Sequence, residues 1–188
     1  MSRTKAIVVG VSLLLASGQL VAQQTRVTLE GRATVLVRGP EGNAVASWDY
    51  SRTNHNGPWL LIELAIQAKK RVAVDRTQIT LLTPKEEIVR LATQPQFLED
   101  QQTLTRLLQN ARVTRKPLDL FFTSPLQPTI TFFSFPGRVV HDSFVTNQDE
   151  VATGDLLFKS PTGRWASGTY RLNVNHPEAR VQLPIELD

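Results

Sequence analysis

Apolar and polar residues alternate over much of this chain, and that pattern restricts the fold more than any other feature. Side chains at every second position of an extended strand share one face, so a period of two predicts strands with one buried face. The C-terminal region shows this best, with alternating runs on either side of residues 175–178: Tyr170, Leu172 and Val174, then Val181, Leu183, Ile185 and Leu187. These runs predict an antiparallel hairpin.

A second hairpin is predicted near the N-terminus. Val35 and Val37 precede a turn at 39–43 that contains proline and glycine, residues that favour a tight reversal of the chain. The alternation then resumes at four further positions: Ala44, Ala46, Trp48 and Tyr50. We therefore expect Trp48 and Tyr50 to lie on the same face of the returning strand.

The segment that follows is apolar on both faces of a predicted strand. One face carries Leu60, Ile62, Leu64 and Ile66, and the other carries Trp59 and Leu61. Strands buried on both faces give nearly continuous apolar runs of this kind. We expect either a central strand with a helix packed on one side or an exposed apolar patch.

One segment has the helical period instead. Phe97, Leu104, Leu108 and Ala111 are separated by seven, four and three residues, and Pro95 suits a first helical turn. We predict a helix from about Pro95 to Ala111. The many strands and this single insertion favour a mostly β fold, an antiparallel β-sandwich with one inserted helix around residues 95–111.

The segment Gly168-Thr169-Tyr170 resembles the Gly-x-Tyr lead-in of many bacterial immunoglobulin-like domains. The chain is also similar to uncharacterised exported bacterial proteins. The resemblance implies an immunoglobulin-like sandwich in which the Tyr170 hydroxyl bonds to backbone at a corner. The chain has no cysteine, so it lacks the disulfide that accompanies a buried tryptophan in antibody-type domains.

Residues 1–22 have the layout of a secretory signal peptide. Arg3 and Lys5 precede an apolar run at 6–16, and a short segment ends at Ala22. The apolar run is about half as long as the ~20 residues that a membrane-spanning helix needs. We predict cleavage after Ala22, with Gly18 as the alternative, and a single domain over 23–188. The protein is then periplasmic or secreted, without a transmembrane anchor.

Composition argues against several kinds of chemistry. Without cysteine there are no disulfides, thiolate metal sites or cysteine nucleophiles. Beyond residue 22 the chain carries 19 basic and 17 acidic residues, and this small net charge argues against nucleic-acid binding. His55, His141 and His176 lack the paired spacing that a zinc site usually shows, so we expect neither a metal nor a cofactor.

Two groups of charged residues leave alternatives open. An acidic group could hold calcium, although its spacing fits no EF-hand and solvated charge is the preferred interpretation: Asp149, Glu150 and Asp155. A basic group near the end of the predicted helix could bind an anion, although a solvated helix end is the usual explanation of such a group: Arg106, Arg112, Arg115 and Lys116.

The candidate functional residues are mainly aromatic. Trp48, Tyr50 and Trp59 flank the polar loop that contains His55, and outward-facing rings there would stack on a sugar or on a partner's apolar side chain. For Trp48 we prefer burial in the core, because it alternates with Ala44 and Ala46.

Function is therefore predicted mainly from export and strand content. No Gly-x-Ser-x-Gly sequence or other catalytic motif occurs, so we predict that the protein is not an enzyme. The leading hypothesis is an exported non-catalytic protein that binds or scaffolds an unknown protein or envelope polymer. The alternatives are a carbohydrate- or small-ligand-binding module, which would use Trp48, Tyr50, His55 and Trp59, and a hydrolase of unrecognised type.

Overall fold

The computed structural model describes residues 25–188, and the predicted signal peptide at 1–22 lies outside them. Of the described residues, 41% are in strands and 19% in helices, so the protein is mostly β. Within this part of the chain, no helix is both long enough and apolar enough to cross a membrane.

The described chain contains the following strands: β1 (Arg26–Leu29), β2 (Thr34–Arg38), β3 (Gly42–Ser47), β4 (Trp59–Ala68), β5 (Val72–Asp75), β6 (Ile79–Leu82), β7 (Ile88–Arg90), β8 (Leu126–Ile130), β9 (Ser143–Thr146), β10 (Val151–Lys159), β11 (Gly168–Val174) and β12 (Val181–Leu187). Six of them form a sheet in the order β1-β2-β3-β4-β10-β8. A four-stranded sheet has the order β12-β11-β6-β7, and β5 pairs with β9. Neighbouring strands are antiparallel except β8 and β10, which are parallel.

The α-helices are α1 (Asp49–Thr53), α2 (Gln94–Glu99) and α3 (Gln101–Thr114), and two short 3₁₀ helices lie at Arg76–Gln78 and Asp119–Phe121. The single helix predicted around 95–111 is thus two helices. At the start of α2, the side chains of Thr93 and Gln96 each accept a hydrogen bond from the other's backbone N–H. The break lies at Asp100, whose carboxylate accepts a hydrogen bond from the Trp59 indole at 3.0 Å and lies 2.9 Å from Lys159 Nζ.

The central strands of the six-stranded sheet are covered on both faces. On its inner face, β4 shares one cluster of buried side chains with the four-stranded sheet: Leu60, Ile62 and Leu64 with Leu81, Leu172 and Leu183. On its outer face, side chains of α2 and α3 form a second cluster with the sheet: Trp59, Leu61 and Leu157 with Phe97, Leu104 and Leu107. The prediction of a central strand with a helix packed on one side is confirmed, and the exposed-patch alternative is wrong for Trp59 and Leu61.

Strand β3 ends earlier than the alternation predicts. It stops at Ser47, and Tyr50 lies in α1 rather than on the strand. The Trp48 N–H donates to the Ala33 carbonyl at 2.9 Å, and the Trp48 carbonyl accepts from the Arg52 N–H at 2.8 Å. The first bond continues the ladder between β2 and β3, and the second begins the helix. The expectation that Trp48 and Tyr50 share a strand face is therefore wrong.

The predicted C-terminal hairpin is present as β11 and β12, with Tyr170 directly opposite Ile185. The Tyr170 hydroxyl donates a hydrogen bond to the Ala166 carbonyl at 2.9 Å, which is the backbone contact expected of a corner tyrosine. The Tyr170 ring also meets the Trp165 ring edge-on, with centroids 5.7 Å apart. These contacts fix the entry of the chain into β11.

The parallel pairing of β8 with β10 depends on a glycine. The register between the two strands shifts between Ala152 and Gly154. A Cβ atom at Gly154 would lie 2.2 Å from the Ile130 carbonyl oxygen, far closer than van der Waals contact. Only glycine therefore allows β8 to approach β10 at this point.

Candidate functional site

A row of polar side chains crosses the outer face of the six-stranded sheet. The register places Thr34 opposite Ser47, Ser47 opposite Glu63, and Glu63 opposite Asp155. Residues directly opposite each other in antiparallel strands share a face, so these four side chains form one line across β2, β3, β4 and β10. All four residues are buried or half-buried.

Arg115 connects the two carboxylates of this row. Acidic residues directly opposite each other on neighbouring strands are destabilising. Arg115 directly follows the last residue of α3, and its Nε lies 2.6 Å from Glu63 Oε1. Its Nη2 donates to both carboxylate oxygens of Asp155, at 2.7 and 2.8 Å. One guanidinium thus offsets the repulsion between the two acids.

The next residue of the chain adds a second cation to the same face. Lys116 Nζ lies 3.4 Å from Asp49 Oδ2. The Ser47 hydroxyl donates to that same oxygen at 3.3 Å and so connects Asp49 to the polar row. The end of α3 therefore brings two consecutive cations against the acidic groups of the outer face.

Burial makes the Glu63 carboxyl a weaker acid than usual. It raises the pKa of Glu63 from 4.5 to about 7; Arg115 opposes this rise, whereas the negative charges of Asp155 and Asp49 add to it. Burial by itself would lower the pKa of Arg115, but Asp155 and Glu63 raise it above its ordinary value. The Glu63 carboxyl therefore changes its charge near neutral pH while Arg115 stays positive.

A cleft of about 370 Å³ opens beside Glu63 and Arg115, and we call it the α3 cleft. Aromatic rings form much of its wall. The Phe97 ring stacks on Phe133 with centroids 5.7 Å apart and meets Phe135 edge-on at 5.2 Å. These rings give the cleft an apolar side opposite its charged groups.

Two polar side chains of the α3 cleft have no partner within the described residues. The Arg138 side chain makes neither an ion pair nor a hydrogen bond there. The Thr131 hydroxyl is buried and has no hydrogen-bond partner. A buried polar group without a partner is destabilising. The exposed Arg138 guanidinium is therefore available to a molecule that enters the cleft, whereas the Thr131 hydroxyl is shielded from it.

The structure places both predicted tryptophans in the interior, each 2% exposed. Trp48 packs in the inner cluster, and its indole N–H donates to the Glu186 carbonyl at 2.6 Å. Trp59 packs in the outer cluster, where Lys159 Nζ lies 5.4 Å from the centre of its ring. Trp48 is thus a core residue, the interpretation that its alternation with alanines favoured.

Tyr50 lines a cleft in the structure, whereas His55 does not. The half-buried Tyr50 packs against the outer cluster and, together with Trp59, lines a second cleft of about 370 Å³ between α1 and α3, the α1 cleft. His55 is 9% exposed; its Nδ1 lies 3.0 Å from the Arg52 carbonyl, and it does not line that cleft. Only Tyr50 and Trp59 of the four predicted residues meet at one concavity.

The α3 cleft was not predicted as a site. Glu63 carries one usable signal, because it is the only ionisable residue in the ten residues of β4. In the sequence, Arg115 belongs to the basic group and Asp155 to the acidic group. Their pairing could not be predicted, because the two residues are 40 positions apart. Phe133, Phe135 and Arg138 lie in a segment without regular structure and carry no recognisable spacing.

The acidic group considered for calcium is divided in the structure. Asp149 and Glu150 precede β10, whereas Asp155 lies within it and contacts Arg115. Among residues 25–188, no cluster of three or more histidine, aspartate or glutamate side chains is arranged to hold a metal ion. Comparisons with protein-family models, curated proteins and solved structures found no match to this chain.

Proposed function

We propose that this protein is an exported, non-catalytic binding protein of the cell envelope, built as an immunoglobulin-like β-sandwich, and that the α3 cleft binds a small amphipathic anion. The signal-peptide pattern of residues 1–22 supports export. The hydroxyl bond of Tyr170 to Ala166 supports the immunoglobulin-like assignment. The buried cluster shared by the six- and four-stranded sheets supports a sandwich.

The composition of the α3 cleft carries the proposal for the ligand. Small-molecule sites are concave, mostly apolar and equipped with a few placed polar groups, and perturbed ionisable residues cluster at such sites. Phe133 and Phe135 would contact the apolar body of the ligand. The unpaired Arg138 guanidinium would bind its anionic group.

The carboxylates beside the cleft favour binding over hydrolysis. In glycoside hydrolysis one carboxyl protonates the leaving group while the other attacks the sugar or activates water, so both face the substrate. Glu63 and Asp155 instead both contact Arg115. We therefore assign this pair to shaping and neutralising the site rather than to chemistry.

Titration with naphthoate, an aromatic carboxylate, tests the ligand proposal, and naphthamide is the matched neutral compound. Calorimetry and NMR titration should show that naphthoate binds and shifts the resonances of cleft residues. Because a hydrogen bond to a charged group contributes ~1.5–3 kcal/mol, Arg138→Gln should weaken naphthoate binding about 10-fold or more and leave naphthamide binding unchanged. Arg164→Gln removes the same charge from a turn before β11 and serves as the control.

A blocking variant gives an independent check of position. Leu108 lies on α3 and lines the cleft. Leu108→Trp adds bulk there and should abolish naphthoate binding while the unfolding transition stays cooperative. If naphthoate and related aryl sulfonates shift no cleft resonance, or if Arg138→Gln binds naphthoate like the wild type, the α3 cleft is not a site for amphipathic anions.

A carbohydrate site at the α1 cleft is a second candidate, and one observation favours it. The side chains of Tyr50, Arg106 and Asn110 line that cleft and make no hydrogen bond or ion pair within residues 25–188. Aromatic faces with nearby polar groups suit a sugar ring, which has an apolar face and hydroxyl edges. Titration with a glycan panel, followed by tryptophan fluorescence because Trp59 lies at this cleft, should show saturable changes that Tyr50→Ala abolishes and Tyr50→Phe retains.

A further inference from the structure

Strand β1 is a free edge of the six-stranded sheet. Among residues 25–188 it pairs only with β2, and the opposite edge of that sheet is β8, which contains Pro128. In the four-stranded sheet the edge strand β12 contains Pro184. Proline lacks the N–H needed to extend a sheet, so it protects an edge. Strand β1 contains no proline; neither does β7, the other edge of the four-stranded sheet, which has only three residues.

The register shows which backbone groups of β1 point away from the sheet. The Glu30 N–H donates to the Thr34 carbonyl at 2.8 Å, and Thr28 lies opposite Leu36. Hydrogen-bonded and non-hydrogen-bonded pairs alternate in antiparallel ladders, so Thr28 also bonds to β2. The N–H and carbonyl groups of Val27 and Leu29 therefore point outward.

The side chains of these two residues extend the apolar inner face beyond its cover. Val27 lies opposite Val37 and Leu29 opposite Val35, and both of those β2 valines are in the inner cluster. Yet Val27 is 49% exposed and Leu29 is 63% exposed. The apolar inner face of the sheet therefore continues onto β1, where its side chains are exposed.

The charges next to β1 are unbalanced. Arg26 lies directly opposite Arg38, and two like charges in this position are destabilising. Neither of these arginines nor Glu30, at the other end of the strand, makes an ion pair within residues 25–188. A carboxylate placed beside Arg26 would relieve the repulsion.

We propose that β1 pairs antiparallel with β1 of a second copy of this chain, centred on Thr28. This register places Val27 opposite the partner's Leu29, where the two residues exchange both backbone hydrogen bonds. It places Arg26 opposite Glu30 of the partner subunit, and the two-fold axis repeats each contact. The two six-stranded sheets become one sheet that is continuous across both copies.

Self-complementarity is the reason to choose a second copy as the occupant. When two copies of the segment 26–30 lie antiparallel, Arg26 of one copy faces Glu30 of the other. The apolar residues Val27 and Leu29 also face each other, and Thr28 faces Thr28. The interface is small, and interfaces of this size form weak complexes. The proposal is independent of the ligand site, because β2 and β3 separate β1 from the strands that line the α3 cleft, which are β4, β10 and β8.

Sedimentation of the exported protein over an about 100-fold range of concentration should show a reversible monomer–dimer equilibrium. Arg26→Glu and Glu30→Arg each place like charges opposite each other twice, and each should raise the dissociation constant about 10-fold. The double variant R26E/E30R restores opposite charges and should restore dimerisation. Lys85→Glu makes the same charge change as Arg26→Glu in the exposed turn between β6 and β7, and should leave the equilibrium unchanged.

Backbone measurements test the register itself. Val27→Pro removes an outward-facing N–H and keeps the bonds between β1 and β2, so it should abolish dimerisation and leave the unfolding midpoint of the monomer nearly unchanged. Amide exchange at Val27 and Leu29 should slow as concentration rises, whereas exchange at Thr28 should not change. A monomer at every concentration, or a double charge variant as weak as the single ones, overturns the proposal.

Discussion

Replacing Glu63 with glutamine should remove a pH dependence of folding that comes from one buried carboxyl. Burial raises the pKa of Glu63 from 4.5 to about 7 in the folded protein. Between these values the folded state holds a proton that the unfolded state has released, so the free energy of unfolding decreases as the pH rises. The stability contribution is fully present below pH 4.5 and is lost as the pH rises through about 7.

The two pKa values also give the size of this effect. One pKa unit corresponds to about 1.4 kcal/mol, so a rise from 4.5 to about 7 corresponds to about 3 kcal/mol. The Glu63 side chain is 16% exposed, which leaves little room for screening by solvent. Total free energies of unfolding are typically ~5–15 kcal/mol, so a change of this size is readily measured.

Urea unfolding followed by tryptophan fluorescence, at pH values from below 4.5 to above 7, measures the effect. Relative to the wild type, Glu63→Gln should gain about 3 kcal/mol across this interval and then level off. Glu87→Gln removes an exposed carboxylate from the turn between β6 and β7 and should follow the wild type at every pH. Parallel curves for the wild type and Glu63→Gln would refute the reasoning, because Arg115 would then keep Glu63 ionised throughout.

Three further changes test separate parts of the structure. Gly154→Ala should destabilise the fold by ~1–3 kcal/mol in urea unfolding, because its Cβ would collide with the Ile130 carbonyl; an unchanged midpoint would show that β8 does not approach β10 so closely. Tyr170→Phe keeps the ring but loses the bond to Ala166, so it should destabilise by about 1 kcal/mol, and equal stability would argue against the corner contact. Intact-mass spectrometry of the protein recovered from the periplasm or the medium should show Gln23 as the first residue, and retention of residues 1–22 would refute the signal-peptide prediction.

Sequence patterns predicted the strands whose faces are decided by burial. The alternation in β11 and β12 is clear because one face of each packs in the inner cluster. The two apolar faces of β4 likewise correspond to two real clusters. Sequence patterns did not predict the element boundaries that depend on tertiary contacts. Trp59 and Lys159 contact Asp100 at the break between α2 and α3. The hydrogen bond from the Trp48 N–H to the Ala33 carbonyl precedes the turn into α1.

The candidate site was less predictable than the fold because its parts come from distant segments. The aromatic residues Trp48 and Trp59 attracted notice, but large apolar rings are equally suited to a core, and both are there. The pairing of Glu63 with Asp155 follows from the register of β4 against β10, which the alternation of either strand alone does not specify. Arg138 lies in the irregular segment between β8 and β9, where no strand or helix period indicates which way a side chain faces.

The polar row on the outer face is difficult to explain by stability alone. Replacing a buried ion-pair group with apolar side chains is often neutral or stabilising, and α3 already provides Leu104 and Leu107 for apolar packing on this sheet. Glu63 in addition lowers the stability above neutral pH. Departures from a well-packed apolar face tend to occur at functional sites, and this one opens directly onto a cleft with an unpaired arginine. A ligand that enters the α3 cleft would therefore meet charges that the fold itself does not need.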